Sequence, residues 1–200
     1  LFWWCGIHGA TIIGGIMGPI LQSNGLANQE VFNSGAKLVA GQNAAIVTNQ
    51  FIDQFITFGG SGLTLGLVCT MLYFSKSRQY KELGKLSIIP GLFNINEPII
   101  FGFPVVFNPI MAIPFILAPV ISAIMVYTSI ATGIVEPFRA ISVPWTTPFI
   151  ISGFLIGGVK AAILQIAVFS MTVAVYFPFF KYQDKLAYQE EQKIGTEATV

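Results

Sequence analysis

The residue with the clearest chemical potential is the glutamate in Phe93-Asn94-Ile95-Asn96-Glu97-Pro98-Ile99-Ile100-Phe101-Gly102. A carboxylate set among Ile, Phe and Pro is expensive to keep in an apolar medium, and an ionisable residue in such a place marks function by default. A second reading puts Glu97 at a membrane surface, or at a helix N-terminus just ahead of Pro98. Asn94 and Asn96 strengthen the functional reading, because carboxamides beside a carboxylate are the groups that pair with sugar hydroxyls. His8 is the single histidine and lies in Trp3-Trp4-Cys5-Gly6-Ile7-His8-Gly9. It reads either as a satisfied structural residue or as a group that accepts and donates a proton near neutral pH, kept neutral by burial. Trp3, Trp4 and Trp145 also carry two readings: interface-belt anchors, or platforms on which the apolar face of a pyranose stacks.

Three further charges stand in apolar context. Glu136 and Arg139 are three apart, which permits a salt bridge if that piece is helical, and the pair is read as structural. Lys160 sits in the middle of an apolar run and must snorkel or face a wet cavity. Cys5 and Cys69 lie far apart in apolar runs, without metal-type spacing, and read as small buried hydrophobes. The sequence has no GxxxxGK[ST], GxSxG, HExxH or paired CxxC, so neither a metal nor a cofactor is expected. Gly59-Gly60-Ser61-Gly62 lacks phosphate-loop spacing and reads as a close helix approach or a hinge.

The elements that must position these residues are apolar. Charged residues are 10% of the chain and hydrophobic ones 54%, with 18 Phe, whereas soluble domains run near ~25% charged. No charge occurs between Asp53 and Lys76, Glu97 and Glu136, Arg139 and Lys160, or Lys160 and Lys181. Crossing ~30 Å of hydrocarbon takes roughly 20 apolar residues in a helix, and several of these stretches qualify. A net charge of +1 offers no field for nucleic acid. The start at Leu1, already inside an apolar stretch, reads as a fragment rather than a signal peptide.

Along the chain, residues 1–25 are apolar but broken by glycines and Pro19, and 24–54 reads as a polar connector with partly helical pieces. Residues 55–74 are a plausible span. Lys76, Arg78, Lys81 and Lys85 mark 75–85 as a cytoplasmic loop, and 179–200 reads as cytoplasmic too, with a disordered end. An even number of crossings must separate the two basic segments, and 105–131 and 152–177 supply two. The broken pieces 86–104 and 132–149 read as a re-entrant hairpin and an irregular loop, which must be buried in protein or line a cavity. The expected fold is an all-α integral membrane protein with transmembrane helices plus re-entrant hairpins.

The Asn94–Pro104 stretch with its Asn-Glu-Pro core resembles the enzyme IIC component of the phosphotransferase system, in its lactose/cellobiose/diacetylchitobiose family. The Trp3–Gly9, Phe58–Gly62 and Val143–Pro148 stretches resemble the same family in the same order. The likeness runs to about Tyr182 and is to the C-terminal, sugar-binding half; the N-terminal half, which dimerises the full-length protein, is not matched. It implies residues 1–182 as the sugar-binding transmembrane domain and 183–200 as a cytoplasmic tail, in the bacterial inner membrane. It further implies a β-linked disaccharide as substrate and the phosphocysteine of a separate enzyme IIB as phosphoryl donor. Glu97 and His8 correspond to the polar pair near the sugar's 6-hydroxyl, and Asn94, Asn96, Trp3, Trp4 and Trp145 to the lining of the site. Two other readings remain: a proton- or ion-coupled secondary sugar transporter with Glu97 and His8 as relay, and a non-transporting membrane scaffold.

Overall fold

The computed structural model describes residues 9–103, 105 and 107–197. Trp3, Trp4, Cys5 and His8 lie outside the described residues. Helices dominate: α1 (Gly9–Asn33), α2 (Asn49–Phe51, running into a π-helical turn Ile52–Ile56), α3 (Leu65–Phe74), α4 (Arg78–Leu92), α5 (Glu97–Gly102), α6 (Pro109–Ala131) and α7 (Ile151–Glu197). Among the described residues the sole β feature is an isolated bridge between Ala40 and Ala44.

Two helices are long and apolar enough to cross a membrane, α6 and the body of α7. They pack on each other and, with α3, enclose a core that includes Phe55, Phe58, Phe103, Phe138, Tyr176 and Phe180. Phe55 stacks on Phe138 with ring centroids 5.0 Å apart, and Phe58 on Phe149 at 5.4 Å. α7 is broken near its start, where Gly157 and Gly158 leave helical geometry and Gly158 has φ 67°. This answers the problem of Lys160. It stands at the beginning of the long continuous helix rather than in its middle, and Lys181 lies 21 residues on, about 31 Å at ~1.5 Å per residue. The two lysines bracket one hydrocarbon thickness.

Four sequence expectations are corrected. α1 does not stop near Gly25 but continues to Asn33. The polar residues that suggested a connector face inward one turn apart: Asn24 Nδ2 donates to Val47 O (2.9 Å), and Asn28 Nδ2 donates to Ala45 O (2.9 Å) and Phe138 O (2.8 Å). The expected span over 55–74 is interrupted by a loop from Thr57 to Thr64, in which Gly59, Gly60, Gly62 and even Leu63 have positive φ, so only α3 remains helical. The basic 75–85 segment is not a loop, since α4 starts at Arg78, with the Ser77 hydroxyl accepting from Tyr80 N–H. The end of the chain is not disordered as far as Glu197, because α7 runs through 182–183 and docks on the start of α4.

That docking rests on two carboxylates. Asp184, 1% exposed, accepts from the Ser75 hydroxyl (2.6 Å) and from the Lys76 and Ser77 N–H groups. Glu191 accepts from the Ser77 hydroxyl (2.7 Å) and from Arg78 and Gln79 N–H (both 3.0 Å). The orphan donors at the N-terminus of α4 are thus capped by another helix, and charge-assisted bonds of this kind are the strong ones.

Candidate functional site

Three irregular segments meet at one place: the glycine loop 57–64, the turn 93–96 between α4 and α5, and the loop 144–150 ahead of α7. α4 ends at Leu92, the chain turns through 93–96, where Asn94 has φ 66°, and α5 follows and packs against α4. Asn94 is the bracket. Its Oδ1 accepts from Gly59 N–H, and its Nδ2 donates to Trp145 O and Thr147 O. Asn96, buried, donates from Nδ2 to Ser61 O (2.8 Å) and Thr64 Oγ1 (2.9 Å), and the Thr64 hydroxyl donates to Gly59 O. Gly60 must be glycine here, because a Cβ on its left-handed backbone would overlap the Asn96 carboxamide. From the opposite side Tyr176 on α7 donates to Gly62 O at 2.7 Å. Lipid cannot supply these partners, so side chains must.

The junction walls a cavity of about 550 Å³, within the ~300–1,000 Å³ typical of small-molecule sites. One side is apolar, with Ile13, Met17 and Leu21 of α1; the other carries Asp53, Ser61, Asn94, Asn96, Glu97 and Trp145. Glu97 opens α5 directly before Pro98, which is the helix-start position its sequence allowed, and it also lines the cavity. Its carboxylate is exposed to that space and accepts no hydrogen bond from any described residue. The Trp145 side chain, 61% exposed, lines the same space while its carbonyl is held by Asn94.

Four of the residues singled out from sequence therefore come together: Glu97, Asn94, Asn96 and Trp145. The carboxamides of Asn94 and Asn96 are largely committed to the scaffold, so their first role is to set the shape of the cavity. Asp53 is the residue that the sequence reading passed over. It lies on the π-helical turn, and its carboxylate faces the cavity. The signal was available, since a lone carboxylate within Phe51–Phe58 is as costly as Glu97. Glu136, Arg139 and Lys160 gather elsewhere, around a separate space. No Glu136–Arg139 ion pair forms because residues 132–150 are not helical; the Arg139 guanidinium lies instead over the Phe32 ring, 3.8 Å from its centroid.

A partly open cavity lined by a carboxylate, carboxamides and an exposed tryptophan, set beside two apolar helices long enough to cross a membrane, fits an integral membrane protein with a small-molecule site. Residues 1–119 match the family described as "Phosphotransferase system, EIIC". The chain is 47% identical over 196 residues to the putative permease IIC component YwbA of Bacillus subtilis, covering 97% of this chain and 43% of that protein. It is 48% identical to the cellobiose-specific EIIC component of the phosphotransferase system from Geobacillus stearothermophilus, covering 96% of this chain and 42% of that one. It also resembles the crystal structure of the transporter ChbC, the IIC component of the N,N'-diacetylchitobiose-specific system, with TM-score 0.89 and 45% identity over 95% of this chain and 43% of that one. The chain belongs to the phosphotransferase system EIIC family, and it spans less than half the length of the curated relatives it matches.

Proposed function

We propose that the chain is the sugar-holding part of a phosphotransferase permease for β-linked disaccharides of the cellobiose, lactose or diacetylchitobiose type. The observation that carries this reading is Glu97: a carboxylate that accepts no hydrogen bond from a described residue, lining a cavity beside an exposed tryptophan. The sugar's 6-hydroxyl attacks the phosphorus of a phosphocysteine on enzyme IIB. The S–P bond breaks as the O–P bond forms, and the hydroxyl proton goes to Glu97, assisted or oriented by His8. A base within roughly 2.6–3.2 Å of that hydroxyl typically contributes ~10²–10⁴-fold. The added phosphate makes the sugar a poor fit for an apolar-walled cavity, which releases it inward and traps it.

In the same reading α6 and the long part of α7 span the bacterial inner membrane. The α4–α5 hairpin enters without crossing, and the basic ends at Lys76–Lys85 and Lys181–Lys193 are cytoplasmic. Residues 1–182 form the sugar-binding domain, 183–200 the cytoplasmic end, and the full-length protein is a homodimer through its other half. The test is phosphoenolpyruvate-dependent sugar phosphorylation by the full-length permease in vesicles with phosphorylated IIB. Glu97→Gln should lower the rate at least ~100-fold while the protein still inserts. A variant that phosphorylates sugar normally sinks the assignment. Uptake that follows a proton gradient without phosphoenolpyruvate supports the secondary-transport reading instead.

A further inference from the structure

Where α7 leaves the apolar core, Lys76, Lys181, Asp184, Lys185, Tyr188 and Gln189 wall a second cavity, of about 540 Å³. It shares no lining residue with the first. Lys181, Lys185 and Tyr188 come from one stripe of α7, four and then three residues apart, and Lys76 comes from the link between α3 and α4.

This cavity is basic, and its cations are not neutralised. Three lysines meet one carboxylate, and that carboxylate is committed to the backbone. Asp184 is 1% exposed and accepts from the Ser75 hydroxyl and from Lys76 and Ser77 N–H. Lys76 and Lys185 are exposed, and their ammonium groups make no hydrogen bond or ion pair with a described residue. The Lys181 ammonium donates once, to Phe74 O at 2.6 Å, and has further N–H groups to offer.

Polarity changes abruptly along both segments. The Lys181 ammonium stands 5.9 Å from the Phe74 ring centroid and 5.8 Å from that of Phe177. These two rings are exposed and pack edge to face, 5.2 Å apart. Phe74 precedes Lys76 and Phe177 precedes Lys181, so the apolar rings end where the lysines begin. Lys181 also lies about one hydrocarbon thickness from Lys160 along α7, which puts this change of polarity at the edge of the bilayer. Exposed Tyr73, next to Phe74, suits the same level. An acidic soluble partner would match the lysines alone, whereas an anionic head on an apolar body matches the lysines and the rings together.

We propose that the second cavity is a specific site for an anionic phospholipid of the cytoplasmic leaflet. Lys76, Lys181 and Lys185 hold its phosphate, and its acyl chains lie along Phe74 and Phe177. The proposal rests on the membrane orientation given above and not on what fills the sugar cavity. Basic pockets beside membrane helices on the cytoplasmic side suit such head groups. The bound lipid joins the 75–77 link to α7, the same two segments that Asp184 ties together, and so reinforces that docking.

The experiment is native mass spectrometry of the full-length permease in detergent, titrated separately with phosphatidylglycerol, phosphatidylcholine and glycerophosphate. Wild type is compared with Lys76→Gln/Lys185→Gln and with Lys81→Gln/Lys193→Gln, which removes the same charge outside the cavity. All four lysines are exposed and none of their side chains makes a hydrogen bond to a described residue, so folding tolerates the changes. The expected result is phosphatidylglycerol bound at least ~10-fold tighter than phosphatidylcholine by wild type, and weakened roughly 10–30-fold in Lys76→Gln/Lys185→Gln. Lys81→Gln/Lys193→Gln stays within about twofold of wild type, and Lys76→Arg/Lys185→Arg retains binding, since both keep the charge of the cavity. Equal affinity for the two lipids in wild type, or equal loss in both glutamine pairs, overturns the site and leaves the sugar cavity standing, because no sugar enters the assay. Glycerophosphate bound as tightly as phosphatidylglycerol makes this a site for a soluble anion and overturns the lipid. Absent lipid selectivity, with Lys76→Gln/Lys185→Gln slowing phosphorylation only at limiting phosphorylated IIB, gives the surface to the protein partner instead. Protease treatment of sealed right-side-out vesicles reads the orientation separately: protection of the α7 end is expected, and cleavage there overturns the cytoplasmic leaflet.

Discussion

Asn94→Asp separates a residue that shapes the cavity from one that only touches sugar. The change is nearly isosteric, keeps an oxygen to accept from Gly59 N–H, and tolerates the φ of 66°. It removes both amide donors and turns a carboxylate oxygen toward the Trp145 and Thr147 carbonyls. Two lost hydrogen bonds at ~1 kcal/mol each, with repulsion added, amount to about 2–4 kcal/mol. For a domain of this size that corresponds to a fall in Tm of roughly 5–15 °C. The assay is thermal unfolding of the detergent-solubilised full-length permease without sugar, together with hydrogen exchange over residues 144–150. The expected outcome is a lower Tm and faster exchange in that loop, with weaker sugar binding as a consequence of a displaced Trp145. An unchanged Tm and unchanged exchange, with sugar affinity alone reduced, would refute the bracing argument and make Asn94 a direct sugar ligand.

At the other end of the molecule, Asp184→Asn leaves the Lys76 and Ser77 N–H groups facing a neutral amide, and should cost about 1.5–3 kcal/mol, read as earlier unfolding and faster proteolysis after Tyr182. Glu191 gives this docking a pH dependence. Burial, the largest single influence, pushes its carboxyl up, but Gln79 N–H, the Ser77 hydroxyl and Arg78 together outweigh it and hold it below its ordinary 4.5. A depressed folded-state value means that the stabilisation is present above about 4.5 and is lost as pH falls through the lower folded-state value. Protease sensitivity of the α7 end should therefore rise on acidification below that point, and Glu191→Gln should flatten the profile; a profile unchanged in the variant would remove Glu191 from the docking.

The apolar helices, and the meeting of Asn94, Asn96, Glu97 and Trp145 at one cavity, were legible because their signals are local. The runs behind α6 and α7 are charge-free over at least about one hydrocarbon thickness, and Asn-Glu-Pro combines a costly carboxylate with a helix-start proline. Three things were not legible. The polarity of Asn24 and Asn28 looks like a loop unless one knows that residues 45–47 and 138 run past them, a pairing 110 residues distant in the case of Phe138. Lys160 looks buried in mid-helix until Gly157 and Gly158 are seen to break α7 just before it. Asp53 signalled its cost as a lone carboxylate between Phe51 and Phe58, but its place at the cavity was not legible, because that depends on a π-helical turn.

These contacts divide polar chemistry by depth on the membrane reading. Where irregular backbone lies among apolar helices, the groups that satisfy it are neutral: the carboxamides of Asn28, Asn94, Asn96 and Gln165, with the hydroxyls of Thr64 and Tyr176. An amide supplies donor and acceptor without charge, so it avoids the desolvation cost that an ion would carry there. Where the same service is done by carboxylates, at Asp184 and Glu191, it is done beside the lysine-rich end. Glu97 and Asp53 break this division. They are carboxylates among the amides, they face the first cavity, and neither carboxylate accepts a bond from a described residue. Among the described residues neutral groups do the structural work at this depth, and that contrast is the physical support for the proposal that both carboxylates serve the ligand.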